Sequence, residues 1–62
     1  MHSVIVEIKN WNYINIWLDG QKMAVFDNGM DAENWARAVC ATLTKIGERY
    51  NRAVWIGGSV YM

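Results

Sequence analysis

Sixty-two residues with six Lys plus Arg against six Asp plus Glu specify one small domain of zero formal charge, and exclude a two-domain enzyme or receptor. A chain this short buries only about 60% of the surface its unfolded form exposes, so its core is thin and oligomerisation is a common way to enlarge it. Apolar residues make up 53% of the chain, four of them Trp, with no Pro and only Leu18 and Leu43 as leucines; disorder and a Leu-rich bundle or zipper are excluded, and a folded β-containing domain is left.

The first half alternates with period two. Val4, Val6 and Ile8, then Ile14, Ile16 and Leu18, share one parity, which predicts two half-buried strands. Asp19-Gly20 predicts a type I′ hairpin, because both residues tolerate positive φ, and a third strand over residues 21–27. This turn pairs Leu18 with Gln21, Ile16 with Met23 and Ile14 with Val25 on one face. Trp17 then lies opposite Lys22, Asn15 opposite Ala24 and Tyr13 opposite Phe26 on the other. Between the first two strands only an odd loop keeps the aliphatic parity, so a three-residue loop Asn10-Trp11-Asn12 is expected, with Asn12 in the left-handed region.

After Asn28-Gly29 the period becomes helical, and Ala32, Trp35, Ala36, Val39, Leu43, Ile46 and Tyr50 form one stripe. Asp31 is the expected N-cap and Asn28 the alternative. Residues 1–31 carry net −2 and residues 32–62 net +2. Acidic Asp31 and Glu33 at the helix start, and basic Lys45, Arg49 and Arg52 toward its end, match the macrodipole. Glu33 with Arg37 and Glu48 with Arg52 add i, i+4 pairs. The β-rich tail from Ala53 to Met62 predicts a returning strand parallel to the first, read as one strand bulged at Gly57-Gly58; a two-residue hairpin at those glycines and a close approach of another backbone there are the alternatives. The expected fold is therefore α+β: a three-stranded antiparallel meander, one helix packed on one sheet face, and a C-terminal strand, in the order β-β-β-α-β, as a single compact domain over residues 1–62.

Chemistry is sparse. The only histidine is His2, no glycine-rich phosphate loop has the right spacing, and no cluster of His, Cys or carboxylates suits a metal, so no catalytic residue, cofactor or metal is expected. Asp27 and Asp31 flank the strand-to-helix link, where turn and capping chemistry account for both. Cys40, the single cysteine, falls mid-helix and reads as a buried structural thiol, consistent with a reducing cytoplasm. The opening residues predict no signal peptide, and no apolar run approaches a membrane span.

The sheet face away from the helix is the informative surface. It is expected to display Ile5, Tyr13, Trp17 and Phe26 among Glu7, Lys9, Asn15 and Lys22, with Trp55 and Tyr61 extending it if the last strand is in register. Three occupants of such a face are compatible with its composition: a second copy of the chain, a different protein anchored on Trp and Tyr, or bases stacked on the aromatics. Neutral charge disfavours single-stranded nucleic acid or a nucleotide, since phosphate binding needs surplus Lys and Arg. Trp11, in a turn, either folds back on the sheet or protrudes as an anchor.

In order of elements the chain resembles the small antitoxins of the HicB type, a resemblance of topology alone, which implies a partial ribonuclease-H-like fold and a toxin partner. The glycine-containing segment those antitoxins carry before the helix is not matched at residues 26–31. The expectation is thus a small, cytoplasmic, non-enzymatic protein-interaction module. It associates with itself as a homodimer or other homo-oligomer and inhibits or modulates a partner protein, in the manner of phage or mobile-element inhibitors of a host system. Ile5, Trp11, Tyr13, Trp17, Lys22, Phe26 and Trp55 are the expected interface.

Overall fold

The computed structural model describes residues 1–57 and the backbone of residues 59–61. The alternating segments form β1 (His2–Asn10), β2 (Tyr13–Leu18) and β3 (Gln21–Phe26), the helical stripe forms α1 (Gly29–Lys45), and the tail forms β4 (Tyr50–Ile56) and the short β5 (Ser59–Tyr61). They assemble as one mixed sheet in the order β3-β2-β1-β4-β5. The expected β-β-β-α-β order holds, with β4 parallel to β1 and the other pairs antiparallel. The tail is not one bulged strand. Ile56 pairs with Ser59, so the chain folds back between them, and Gly57 takes φ 57°, a value that favours glycine. Gly58, Met62 and the side chain of Tyr61 lie outside the described residues.

The Asp19-Gly20 turn has φ 53° and 83°, the left-handed pair that a type I′ hairpin requires. Asp19 also ties the turn to the start of β1. Its Oδ1 accepts from the Ser3 N–H at 2.8 Å, and its Oδ2 lies 2.6 Å from His2 Nδ1. The His2 contact, then the Ser3 amide, holds the Asp19 carboxyl below the ordinary carboxylate range. A folded-state pKa below the unfolded one contributes stability above the unfolded value and loses it as pH falls through the folded value. Asp19→Asn should therefore melt below the wild type at neutral pH, and the two melting curves should converge below the carboxylate range.

Two bulges correct the expected registers. The β1–β2 connection is a two-residue turn, with Asn10 opposite Tyr13, and Lys9 is the extra residue that restores the aliphatic parity. Asn12 does not enter the left-handed region; its N–H donates instead to Asn10 Oδ1 at 2.8 Å, an Asx turn. In the β2–β3 pair Met23 is extra, so Ile16 faces Ala24, Asn15 faces Val25 and Ile14 faces Phe26. The slip exchanges faces: Ala24 and Phe26 turn toward the helix, while Met23 and Val25 are left 52% and 55% exposed. Burying a Phe side chain is worth about 1.5–3 kcal/mol, more than the ladder hydrogen bond a bulge forfeits. β3 is an edge strand, where a bulge is a common guard against edge-to-edge pairing.

Asn28, not Asp31, caps α1: its Oδ1 accepts from the Asp31 N–H at 2.8 Å, while its Nδ2 donates to Asp31 Oδ2 at 2.8 Å and to Asp27 Oδ1 at 3.1 Å. Both link carboxylates are thereby occupied in the cap. Gly47, φ 79°, ends the helix, and the Glu48 N–H donates to the Leu43 carbonyl at 2.9 Å. Ile46 is therefore solvent-exposed and Tyr50 opens β4. Glu48 leaves the helix before it can pair with Arg52, which reaches Glu33 instead, beside the expected Glu33–Arg37 contact at 3.2 Å. The core lies between α1 and the Val/Ile face. Val6, Ile14, Ile16, Ala32 and Ala36 form one cluster, with Phe26 and Trp35 packed against it; Val4, Cys40 and Leu43 form the other, capped by Leu18, Val39 and Tyr50. No helix among the described residues is long and apolar enough to cross a membrane.

Candidate functional site

Strand parity places Ile5, Glu7, Asn15, Trp17, Lys22, Val25, Ala53 and Trp55 on the face that α1 does not cover. Ile5 sits in the middle row, with Trp17 on one side and Ala53 on the other. In the next row Asn15 and Trp55 flank Glu7. Tyr13 follows on β2, 43% exposed, and the Lys22 ammonium stands 6.0 Å from the Trp17 ring centroid, within reach of a cation–π contact.

Glu7 organises the centre of this face. Its Oε1 accepts from Trp17 Nε1–H at 2.9 Å and from Asn15 Nδ2 at 3.1 Å, and its Oε2 lies 3.5 Å from Lys9 Nζ. These are charge-assisted contacts on a side chain only 15% exposed. The Trp17 hydrogen bond, then that of Asn15, outweighs desolvation and holds the Glu7 carboxyl below its ordinary value, so it is ionised at neutral pH. The first of these bonds tethers the Trp17 indole to Glu7 on the neighbouring strand. Asn15 is 2% exposed, and its Oδ1 is a buried side-chain oxygen without a partner; turning the amide over would aim that oxygen at the carboxylate, so the orientation is set by Glu7.

Five of the seven expected interface residues, Ile5, Tyr13, Trp17, Lys22 and Trp55, share the open face. Phe26 does not. The β3 bulge turns it to the helix side, where its ring packs 6.3 Å from that of Trp35 at 55°. Val25 takes its place on the open face. Trp11 protrudes from the β1–β2 turn, 79% exposed, rather than folding back on the sheet. The Glu7 network was not singled out from the sequence, although the β1–β2 parity alone sets Glu7 opposite Asn15 and one step from Trp17, which is the clue that reveals it.

A second apolar concavity lies on the other side of the molecule. A groove of about 340 Å³ runs along one flank of α1, lined by Leu18, Trp35, Ala38, Val39, Thr42 and Leu43. Among the described residues no group of His, Cys, Asp and Glu is placed to hold a metal. No protein-family model, no curated protein and no solved structure matches the chain.

Proposed function

We propose that the protein is a small non-enzymatic interaction module, which associates with itself through the open sheet face and inhibits or modulates a partner protein. The observation that supports this is a sheet face carrying Ile5, Tyr13, Trp17, Val25 and Trp55, with its central carboxylate, Glu7, already satisfied from within the chain. An interface that must be desolvated favours such an arrangement, because Glu7 keeps its hydrogen bonds when water leaves and adds little penalty of its own. Trp and Tyr are the residues that most often anchor protein interfaces. An ionised carboxylate at the centre of the face, with Lys9 engaged by it, also works against phosphate-bearing ligands.

Val25→Arg tests this reading with little risk to the fold, since Val25 is 55% exposed. Light scattering coupled to size exclusion, recorded at 260 and 280 nm, should give a discrete oligomer with a protein-only absorbance ratio for the wild type and a monomer for the variant. Trp17→Ala should weaken association at least tenfold while the circular dichroism spectrum stays folded. Equal masses for wild type and both variants would sink the proposal, and excess absorbance at 260 nm would replace it with nucleotide binding.

A further inference from the structure

Trp11 takes no part in the core or the open face, and the α1 groove is the exposed outer edge of the core, running from Trp35 toward the end of the sheet away from Trp11. Trp11 follows β1 at the end where β3 passes into α1; the groove includes Leu18, the last residue of β2, and the C-terminal half of α1. The groove's volume of about 340 Å³ is at the small end of what holds a compact ligand, and its lining is almost wholly apolar. Ile46, 64% exposed, prolongs the same stripe at three residues from Leu43 and seven from Val39. An exposed indole on one end and an apolar slot toward the other make the molecule complementary to itself head to tail.

The charges at the two ends are complementary as well. Asp27 and Asp31 lie at the Trp11 end and have no cationic partner among the described residues. At the groove end Lys45 and Arg49 likewise have no carboxylate partner among the described residues; the carboxylates there are Glu48 and Asp19, and Asp19 is already engaged by His2 and the Ser3 N–H. Lys45 lies on the groove's own flank, three residues beyond Thr42 and seven beyond Ala38. The helix macrodipole offsets about half a charge at each end and does not reverse either sign.

We infer that Trp11 of one copy seats in the α1 groove of the next, with Asp27 and Asp31 brought toward Lys45 and Arg49 of the neighbouring copy. The contact is heterologous, so it generates rings or open chains rather than a closed pair. One indole in one groove forms an interface below about 1,200 Å² in total, which places the association in the weak, transient class. Growth is therefore seen at high protein concentration and low salt. None of it depends on the open face.

The test is complementation, made in a Val25→Arg background so that the open face contributes nothing. Trp11→Ala removes the knob and leaves the groove; Ala38→Arg fills the groove and leaves the knob. Both positions are exposed, so the fold should survive, and Thr42→Lys is a second groove variant. In sedimentation velocity each single-ended variant should stay monomeric up to high micromolar concentration. Their equimolar mixture should give a species of twice the monomer mass, which disappears in high salt. A mixture no heavier than either variant alone, or a Trp11→Ala variant that grows like the Val25→Arg parent, overturns the inference without bearing on the open face.

Discussion

Ile16→Ala is expected to abolish cooperative folding at 25 °C. Ile16 is fully buried at the centre of β2, packed among Val6, Ile14, Ala32 and Ala36. Truncating a buried Ile to Ala removes the transfer free energy of the lost methyl groups and leaves a cavity, together about 2–5 kcal/mol. A single core in a domain of this size supplies about 3–5 kcal/mol in total, so the loss is of the order of the whole stability. The helix cannot collapse into the gap, because Ala32 and Ala36 already bring its backbone close to the sheet. Urea titration followed by circular dichroism should show a two-state transition in the wild type and none in the variant. Ile46→Ala, at an exposed position beyond the helix end, should stay within about 0.5 kcal/mol of the wild type.

Glu7→Ala should destabilise the protein by about 2 kcal/mol, since a buried donor left without its acceptor costs about 1–3 kcal/mol and Asn15 Nδ2 loses its acceptor altogether. Trp17 would lose the bond that tethers its indole to the neighbouring strand, so its fluorescence should shift to the red. Glu7→Gln keeps a carbonyl acceptor for both donors and should fall between the two. The pH dependence separates charge from shape. The folded-state pKa of Glu7 lies below its ordinary value of 4.5, so its contribution is fully present above that value and fades as pH falls through the lowered one. Wild type and Glu7→Gln should differ most at neutral pH and approach each other in acid; a difference that persists unchanged to the lowest pH would show that the carboxylate charge plays no part in holding Trp17.

Both variants probe features with different legibility. Ile16 belongs to the alternation that marks β2, and its burial follows from parity on one side and a helical stripe on the other. The Glu7 network needs one further step, the register that places Asn15 opposite it, and then the recognition that Trp17 has an N–H to donate. Phe26 could not be assigned correctly from the turn alone. Counting residues back from Asp19-Gly20 puts it beside Tyr13, and only the bulge at Met23 moves it to the helix side, where Trp35 meets it. With Phe26 gone, the aromatic character of the open face rests on Trp17, Trp55 and Tyr13.

The ends of α1 show the same division. Asn28 and Asp31 are both competent caps by residue type, and the choice falls to Asn28 because its amide bonds the Asp31 N–H while also binding the carboxylates of Asp27 and Asp31. At the other end the apolar stripe continues to Ile46 and Tyr50 without interruption, yet Gly47 terminates the helix about one turn before the pattern does.

The sequence by itself determined the order of elements, the type I′ turn, the parallel return of β4 and the separation of a covered from an open sheet face. Each of these follows from residue period or from turn chemistry among near neighbours, which the chain carries wherever it folds. Tertiary structure decided the bulges at Lys9 and Met23, the side on which Phe26 lies, the pairing of Arg52 on β4 with Glu33 on the covering helix and the protrusion of Trp11. Those outcomes compare alternative burials, Phe26 against Val25 under Trp35, or a salt bridge to a distant helix against one to the near residue Glu48. The comparison is settled by what stands on the opposing surface, and no local pattern contains that surface.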